Sequence, residues 1–252
     1  VDGDDELVFA LPGATGTAAG AGLVFVRRSE GELGDRRFDP ALPTEWDTLI
    51  EGDRASAALG TAMVSADLNG DGVADLVVGA PGARVPGVDQ GALYVFYGPL
   101  AGGRVRMSAA PLVLQGEAAG DKAGSAIDAR DIDGDGYDDL VVGAPGAAGG
   151  LGKAYVVYGR AGFSGSFSLA TGGVFVGTRA AGQAGGAVAF AGDLDDDGHD
   201  DVVVGAAVGP DLSRGAAHLV YGTASRFSGA LTATATLTGS SQGERFAVSV
   251  AG

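Results

Sequence analysis

Apolar residues in this chain fall in short runs separated by glycine and acidic residues, and the runs are of distinct kinds. One kind is unbroken: Leu76-Val77-Val78, Leu140-Val141-Val142 and Val202-Val203-Val204, each entered from an aspartate-rich stretch and left through glycine. A second alternates around an aromatic or histidine, in GLVFV (22–26), GALYVFYG (91–98), GKAYVVYG (152–159) and GAAHLVYG (215–222). A third is built from small residues, in LGTAMVSA (59–66), AGSAIDAR (123–130), GGAVAFAG (185–192) and FAVSVAG (246–252). A fourth, after a polar stretch, ends at Gly52, Gly116, Gly177 and Gly239, glycines spaced 64, 61 and 62 residues apart. Runs this short, bounded by turn formers, read as β-strands, and no helical period is sustained.

The order of the four kinds repeats. The sequence DLNGDGVADLVVGAPG (67–82) returns as DIDGDGYDDLVVGAPG (131–146) and DLDDDGHDDVVVGAAVG (193–209), and the opening VDGDDELVFALPG matches the second half of the same unit. Four strands in a repeat of about 60 residues is the pattern of a β-propeller blade. The expected fold is therefore all-β, a propeller of four-stranded antiparallel blades forming a single domain over 1–252. Its repeats run approximately over 1–58, 59–122, 123–184 and 185–245, with 246–252 completing the first blade. The small-residue strand is expected innermost, where space near the axis is scarce. Closure into a four-bladed ring is favoured, because pairing FAVSVAG with ELVFALP would remove exposed sheet edges; the alternative is part of a larger, for example seven-bladed, propeller.

Composition sharpens this. Glycine supplies 47 of 252 residues without a three-residue period, which excludes collagen, and 46% hydrophobic content argues against disorder. Thirty-two acidic residues against 16 basic give a net charge of −16, which disfavours nucleic acid and anionic membrane surfaces as partners. No cysteine is present, which removes disulfides, zinc–thiolate sites and thiol catalysis. Leu7–Val26 is uncharged and long enough to span a bilayer, but Pro12, Gly13, Gly16, Gly20 and Gly22 interrupt it, so it reads as two strands and a turn rather than a membrane insertion.

Three aspartate-rich loops share one spacing of oxygen ligands. Positions one, three, five and nine are Asp67, Asn69, Asp71 and Asp75; Asp131, Asp133, Asp135 and Asp139; and Asp193, Asp195, Asp197 and Asp201. Glycine holds position six (Gly72, Gly136, Gly198), and position seven (Val73, Tyr137, His199) offers a backbone carbonyl. Hard oxygen ligands on a flexible wrap suit Ca²⁺ better than Mg²⁺. Position twelve is Val78, Val142 or Val204 where an EF-hand needs glutamate, and each loop runs straight into a strand, so these are hairpin tips. Aspartate and glycine also form ordinary turns, but several carboxylates brought together raise one another's pKa unless a cation lies between them. Three complete Ca²⁺ sites are expected, structural rather than regulatory, with an incomplete fourth at Asp2 and Glu6.

Loop, strand and small-residue strand together resemble the FG-GAP repeat of integrin α-subunit propellers and their bacterial relatives. The "GAP" element stands as Gly79-Ala80-Pro81 and Gly143-Ala144-Pro145, and the weaker "FG" element as Leu59-Gly60, Ala123-Gly124, Gly185-Gly186 and Phe246-Ala247. The resemblance implies an extracellular, integrin-like propeller with Ca²⁺ in hairpins on one face and ligand recognition, where present, on the other. The lack of cysteine and the 14 arginines against 2 lysines resemble bacterial members more than animal integrins.

Enzyme signals are poor. Gly239-Ser240-Ser241-Gln242-Gly243 fits G-x-S-x-G but joins two strands, where a nucleophile elbow needs a strand-to-helix turn. The two histidines, His199 in a calcium loop and His218 in a strand, have no nucleophile partner in the pattern. Lone Trp46 lies in the longest strand connection, 29–47, and is expected to cap a blade's outer edge, the alternative being a partner contact made together with Arg36, Arg37 and Glu45. On the face opposite the loops the candidate contact residues are Asp53, Arg54, Arg84, Asp89, Gln90, Asp121, Lys122, Arg179, Asp211, Arg214, Glu244 and Arg245. The expected function is non-catalytic: a calcium-binding, secreted or cell-surface propeller for adhesion or binding of a protein or glycan ligand, with oligomers possible. The alternative is a structural or accessory module of a larger secreted protein or enzyme.

Overall fold

The computed structural model describes residues 6–28, 39, 46–85, 87–178, 182–206, 214–240 and 249–250. The first unit contributes β1 (Glu6–Leu11), β2 (Leu23–Arg28) and β3 (Thr48–Glu51). The second contributes β4 (Met63–Ala66), β5 (Asp75–Ala80), β6 (Ala92–Phe96), β7 (Gly103–Arg106) and β8 (Leu112–Gln115). The third adds β9 (Ala126–Arg130), β10 (Asp139–Ala144), β11 (Lys153–Val157), β12 (Gly165–Ser168) and β13 (Gly173–Val176). The fourth adds β14 (Ala184–Gly192), β15 (Asp201–Ala206), β16 (Ala216–Val220), β17 (Gly229–Leu231) and β18 (Ala235–Thr238). The Leu7–Val26 stretch is the β1–β2 hairpin, with Phe9 opposite Phe25 and their rings stacked 5.2 Å apart. No described helix is long and apolar enough to cross a membrane.

Four sheets result, in the orders β1-β2-β3-β7, β4-β5-β6-β8-β12, β9-β10-β11-β13-β17 and β14-β15-β16-β18. The four-strand expectation needs one addition. The outer strand of a blade is joined in parallel by a short strand from the next unit: β7 on β3, β12 on β8 and β17 on β13. Each blade thus reaches over its neighbour's edge, so that edge is not left open to other chains. The segment expected to complete the first blade, 246–252, lies outside the described residues except Ser249 and Val250, which are not in a strand.

The small-residue strands β4, β9 and β14 pack beside one another, as inner strands of adjacent blades should. The unbroken apolar runs are covered from both sides. Leu76 and Val78 face the first blade in a core with Val24 and Ile50, whereas Val77 faces the third blade in a core with Leu140 and Val142. Val141 in turn faces the fourth blade with Val188, Val202 and Val204.

The FG-GAP signature has a steric reason. A Cβ on Gly79 would stand 2.1 Å from the Gly124 carbonyl oxygen, and one on Gly143 would stand 2.0 Å from that of Gly185. Gly124 and Gly185 carry φ of +84° and +83°, so glycine is required on both sides of the blade-to-blade contact.

Trp46 is 8% exposed and packs on Phe25 and Leu49, with the Arg104 guanidinium of β7 5.6 Å from its ring centroid. It seals the outer edge of the first blade, as expected. His218 lies beside Phe175, with Nδ1 3.1 Å from Thr236 Oγ1, and burial pushes its pKa down. Its role is to fill the aromatic position of the strand.

Candidate metal centres

Each of the three loops is the tip of a hairpin between an inner strand and its apolar neighbour: β4–β5, β9–β10 and β14–β15. Position one organises the turn. Asp67 accepts hydrogen bonds at Oδ1 from the amides of Gly70 (2.8 Å) and Asp71 (3.1 Å), and at Oδ2 from Gly72 (2.8 Å). Asp131 does the same for Gly134 (2.8 Å), Asp135 (3.2 Å) and Gly136 (3.0 Å). Asp193 accepts from Asp197 (3.0 Å) and Gly198 (2.7 Å). The glycines at position six have φ of +80°, +88° and +91°, which lets the chain reverse around the carboxylates.

Position five is held by the amide two residues on. Val73, Tyr137 and His199 donate to Oδ1 of Asp71 (2.8 Å), Asp135 (3.0 Å) and Asp197 (2.9 Å). Position nine is the buried anchor. Asp75 accepts from Leu68 and Gly98, Asp139 from Ile132 and Gly159, and Asp201 from Leu194 and Gly222. These bonds fasten each loop to the end of the third strand of its own blade. Burial pushes Asp75 up to about 6 and Asp139 up to about 7, against the hydrogen bonds they accept. Asp195 is also raised, first by desolvation and then by the charges of Asp197, Asp201 and Asp193.

The carboxylates converge. Oxygens of Asp131, Asp133 and Asp139 lie within 4.8 Å of one another, as do those of Asp193, Asp195 and Asp197. In the first loop Asn69 stands in the sequence of acids, and its Nδ2 donates to Asp71 Oδ2 at 3.0 Å. The fifteen residues expected at positions one, three, five, seven and nine thus lie in the three hairpin tips and at the strand starts below them. The close convergence takes in three acids each of the second and third loops and leaves out Asp135, Asp201 and the first loop's Asp67, Asp71 and Asp75. An all-oxygen donor set with raised carboxyl pKa values fits a hard divalent cation. Of the incomplete fourth loop, Glu6 is exposed at the start of β1 and Asp2 lies outside the described residues.

Sequence reasoning missed the ties between loops. Asp67 N donates to Asp138 Oδ2 at 2.7 Å, Asp138 N donates back to the Asp67 carbonyl at 2.9 Å, and Arg160 N donates to the Leu68 carbonyl at 3.0 Å. A Cβ on Gly70 would stand 2.5 Å from the Tyr137 ring, so the second loop also leans on the first. Between the third and fourth blades, Arg130 pairs with Asp200 at 2.7 Å, and Arg226 pairs with both Asp133 and Asp135. The recurring aspartate at position eight (Asp138, Asp200) was the available signal.

The opposite face departs from expectation at two residues. Gln90 and Asp121 are 5% and 4% exposed, so neither is part of a contact surface. Asp121 instead closes a turn by accepting the amides of Glu117 and Ala118, and the Gln90 side chain donates to the Val85 carbonyl. Nearby, Glu117 Oε1 accepts from Lys153 Nζ (2.7 Å) and from the fully buried Tyr155 hydroxyl (2.8 Å), a structural pairing. Arg179, Asp211, Glu244 and Arg245, and residues 241–243 of the G-x-S-x-G match, lie outside the described residues.

Sheets of this order, stacked face to face about small inner strands and carrying acidic hairpin tips, are the blades of a β-propeller. The chain carries FG-GAP repeats: the family model of that name matches residues 59–96 and 123–157. It is 36% identical over 152 residues to phosphatidylinositol-glycan-specific phospholipase D of Rattus norvegicus, covering 59% of this chain and 18% of that protein. Integrin alpha-3 of Cricetulus griseus is 38% identical over 116 residues, 45% of this chain and 11% of the integrin. Integrin alpha-IIb of Homo sapiens is 34% identical over 166 residues, 62% of this chain and 15% of the integrin. The chain thus spans less than a fifth of the length of these relatives.

Proposed function

We propose that this propeller is a calcium-stabilised, non-catalytic module of an extracytoplasmic protein that presents the face opposite its calcium loops to a protein or glycan ligand, as in adhesion. The observation that carries the calcium reading is the third loop. There Asp193, Asp195 and Asp197 converge on one point, and among the described residues none of the three has an ion-pair partner. Ca²⁺ in each tip would balance this charge and fix the ends of the inner strands. Its role here is structural, because the loops lie at one end of the blades and Arg54, Arg84, Asp89 and Lys122 lie in connections at the other. Similarity to integrin α subunits supports the adhesive reading. A second reading, an accessory propeller within a larger enzyme, is favoured by the match to 18% of a phospholipase D.

Melting curves with excess Ca²⁺ and with chelator test the calcium reading. A ligand that binds only the folded state stabilises it by mass action, about 2.7 kcal/mol per site at a hundredfold excess over Kd, so the two curves separate by several degrees; superimposable curves refute it. Solid-phase binding of the calcium-loaded protein to arrayed glycans and matrix proteins separates the two roles. Specific capture favours adhesion, and none favours the accessory module.

A further inference from the structure

We propose that Arg226 is a built-in counter-cation of the second loop, so that a divalent ion entering this loop must displace a guanidinium supplied by the neighbouring blade. The inference rests on the calcium reading and goes beyond it, because it makes the three loops unequal and couples one of them to the contact between the third and fourth blades.

The second and third loops carry the same four aspartates but are arranged differently. In the third loop the converging acids are at positions one, three and five: Asp193, Asp195 and Asp197. In the second they are at positions one, three and nine: Asp131, Asp133 and Asp139. The position-five residue, Asp135, is where the loops part. Its Oδ2 takes the Arg226 Nη2, while Arg226 Nε lies 2.5 Å from Asp133 Oδ2. The inner oxygens are engaged as well, since Asp133 Oδ1 accepts from Asp135 N at 3.2 Å and Asp135 Oδ1 from Tyr137 N at 3.0 Å. A cation using Asp133 and Asp135 as ligands must therefore take oxygens that the guanidinium or the backbone now holds, and the guanidinium is the partner that is free to leave.

Arg226 does not arrive by chance. It precedes Phe227 in the connection between β16 and β17, and Phe227 N donates to the Tyr158 hydroxyl at 2.6 Å. The guanidinium lies 4.6 Å from the Tyr158 ring centroid, so the third blade supplies both an aromatic face and two carboxylates to receive it. The same residues wall a cleft of about 280 Å³ that also reaches Ile132, His199 and Asp200 and gives the guanidinium room to swing aside. Loading the second loop thus loosens one tie between the third and fourth blades while leaving the Arg130–Asp200 pair in place.

Site-resolved titration tests this on the whole chain. The backbone amides of Gly72, Gly136 and Gly198 each report one loop in a nitrogen–proton NMR spectrum recorded during addition of calcium chloride. In the native protein Gly136 should respond at higher Ca²⁺ than Gly198, with the Arg226 Nε–H signal shifting in step with Gly136. In Arg226→Gln the Gly136 midpoint should fall roughly three- to tenfold, the scale of giving up two exposed ion pairs. The Gly72 and Gly198 midpoints should stay in place, which also shows that the variant is folded. If Gly72 and Gly198 respond but the Gly136 midpoint is unchanged or rises in the variant, this inference falls while calcium binding stands. If none of the three responds in either protein, both fall together.

Discussion

The blade-to-blade contact at the glycines is the most demanding feature of the packing, and Gly143→Ala tests it. The added methyl would begin 2.0 Å from the Gly185 oxygen, 2.9 Å from its carbonyl carbon and 3.3 Å from the Ala126 Cβ. The first two are backbone atoms at the start of β14, and β10 is hydrogen-bonded on both sides, to β9 and β11. Relief therefore requires two blades to separate rather than a side chain to rotate. Overpacking of this kind costs about 1–3 kcal/mol, occasionally more. Each kcal/mol moves Tm by about 2–4 °C in a domain of this size, so a fall of about 2–12 °C is expected. The control is Gly13→Ala, in the β1–β2 turn, where nothing lies within 4 Å of the added Cβ. Differential scanning calorimetry at fixed Ca²⁺ gives both values. A Gly143→Ala protein that melts with the wild type would show that the blades do not approach as described and would refute the steric account of the repeat signature.

Other outcomes follow from the same contacts. Glu117→Ala removes the acceptor of the buried Tyr155 hydroxyl and the partner of Lys153, and should destabilise by about 1–3 kcal/mol in a thermal melt, whereas Glu117→Gln keeps an acceptor and should lose less. Ca²⁺ affinity measured by calorimetry should rise between pH 5.5 and pH 7.5 with proton release, because Asp75 and Asp139, raised to about 6 and 7 without an ion, must be ionised to hold one. In the chelated protein the sign reverses. Both folded pKa values lie above the unfolded value, so the contribution of these groups to stability is fully present at acid pH and is lost as pH rises towards 7.

Much of the blade plan was legible because its signals are local. An apolar run entered from an aspartate loop gave β5, β10 and β15, and a terminal glycine marked the ends of β3, β8, β13 and β18. The position-nine aspartates were legible for the same reason, since ligand spacing and strand start coincide at Asp75, Asp139 and Asp201. What escaped was long-range. The segments GRVR, GSFS and GAL that form β7, β12 and β17 share no hydrophobic pattern, and each becomes a strand only by pairing with a neighbour's edge. Gln90 and Asp121 read as candidate contact residues because loop residues usually face solvent, yet both turn inward to complete turn hydrogen bonds. The arrival of Arg226 at a loop formed ninety-one residues earlier had no sequence signal at all.

The proposed structure-stabilising element is one Ca²⁺ in each of the three hairpin tips. Equilibrium dialysis of the chelator-stripped chain against radioactive calcium counts the sites directly. Three ions per chain are expected, falling to two in Asp195→Ala, whose substitution removes a converging ligand of the third loop alone. No bound calcium at millimolar concentrations, or a count that Asp195→Ala leaves unchanged, would contradict it.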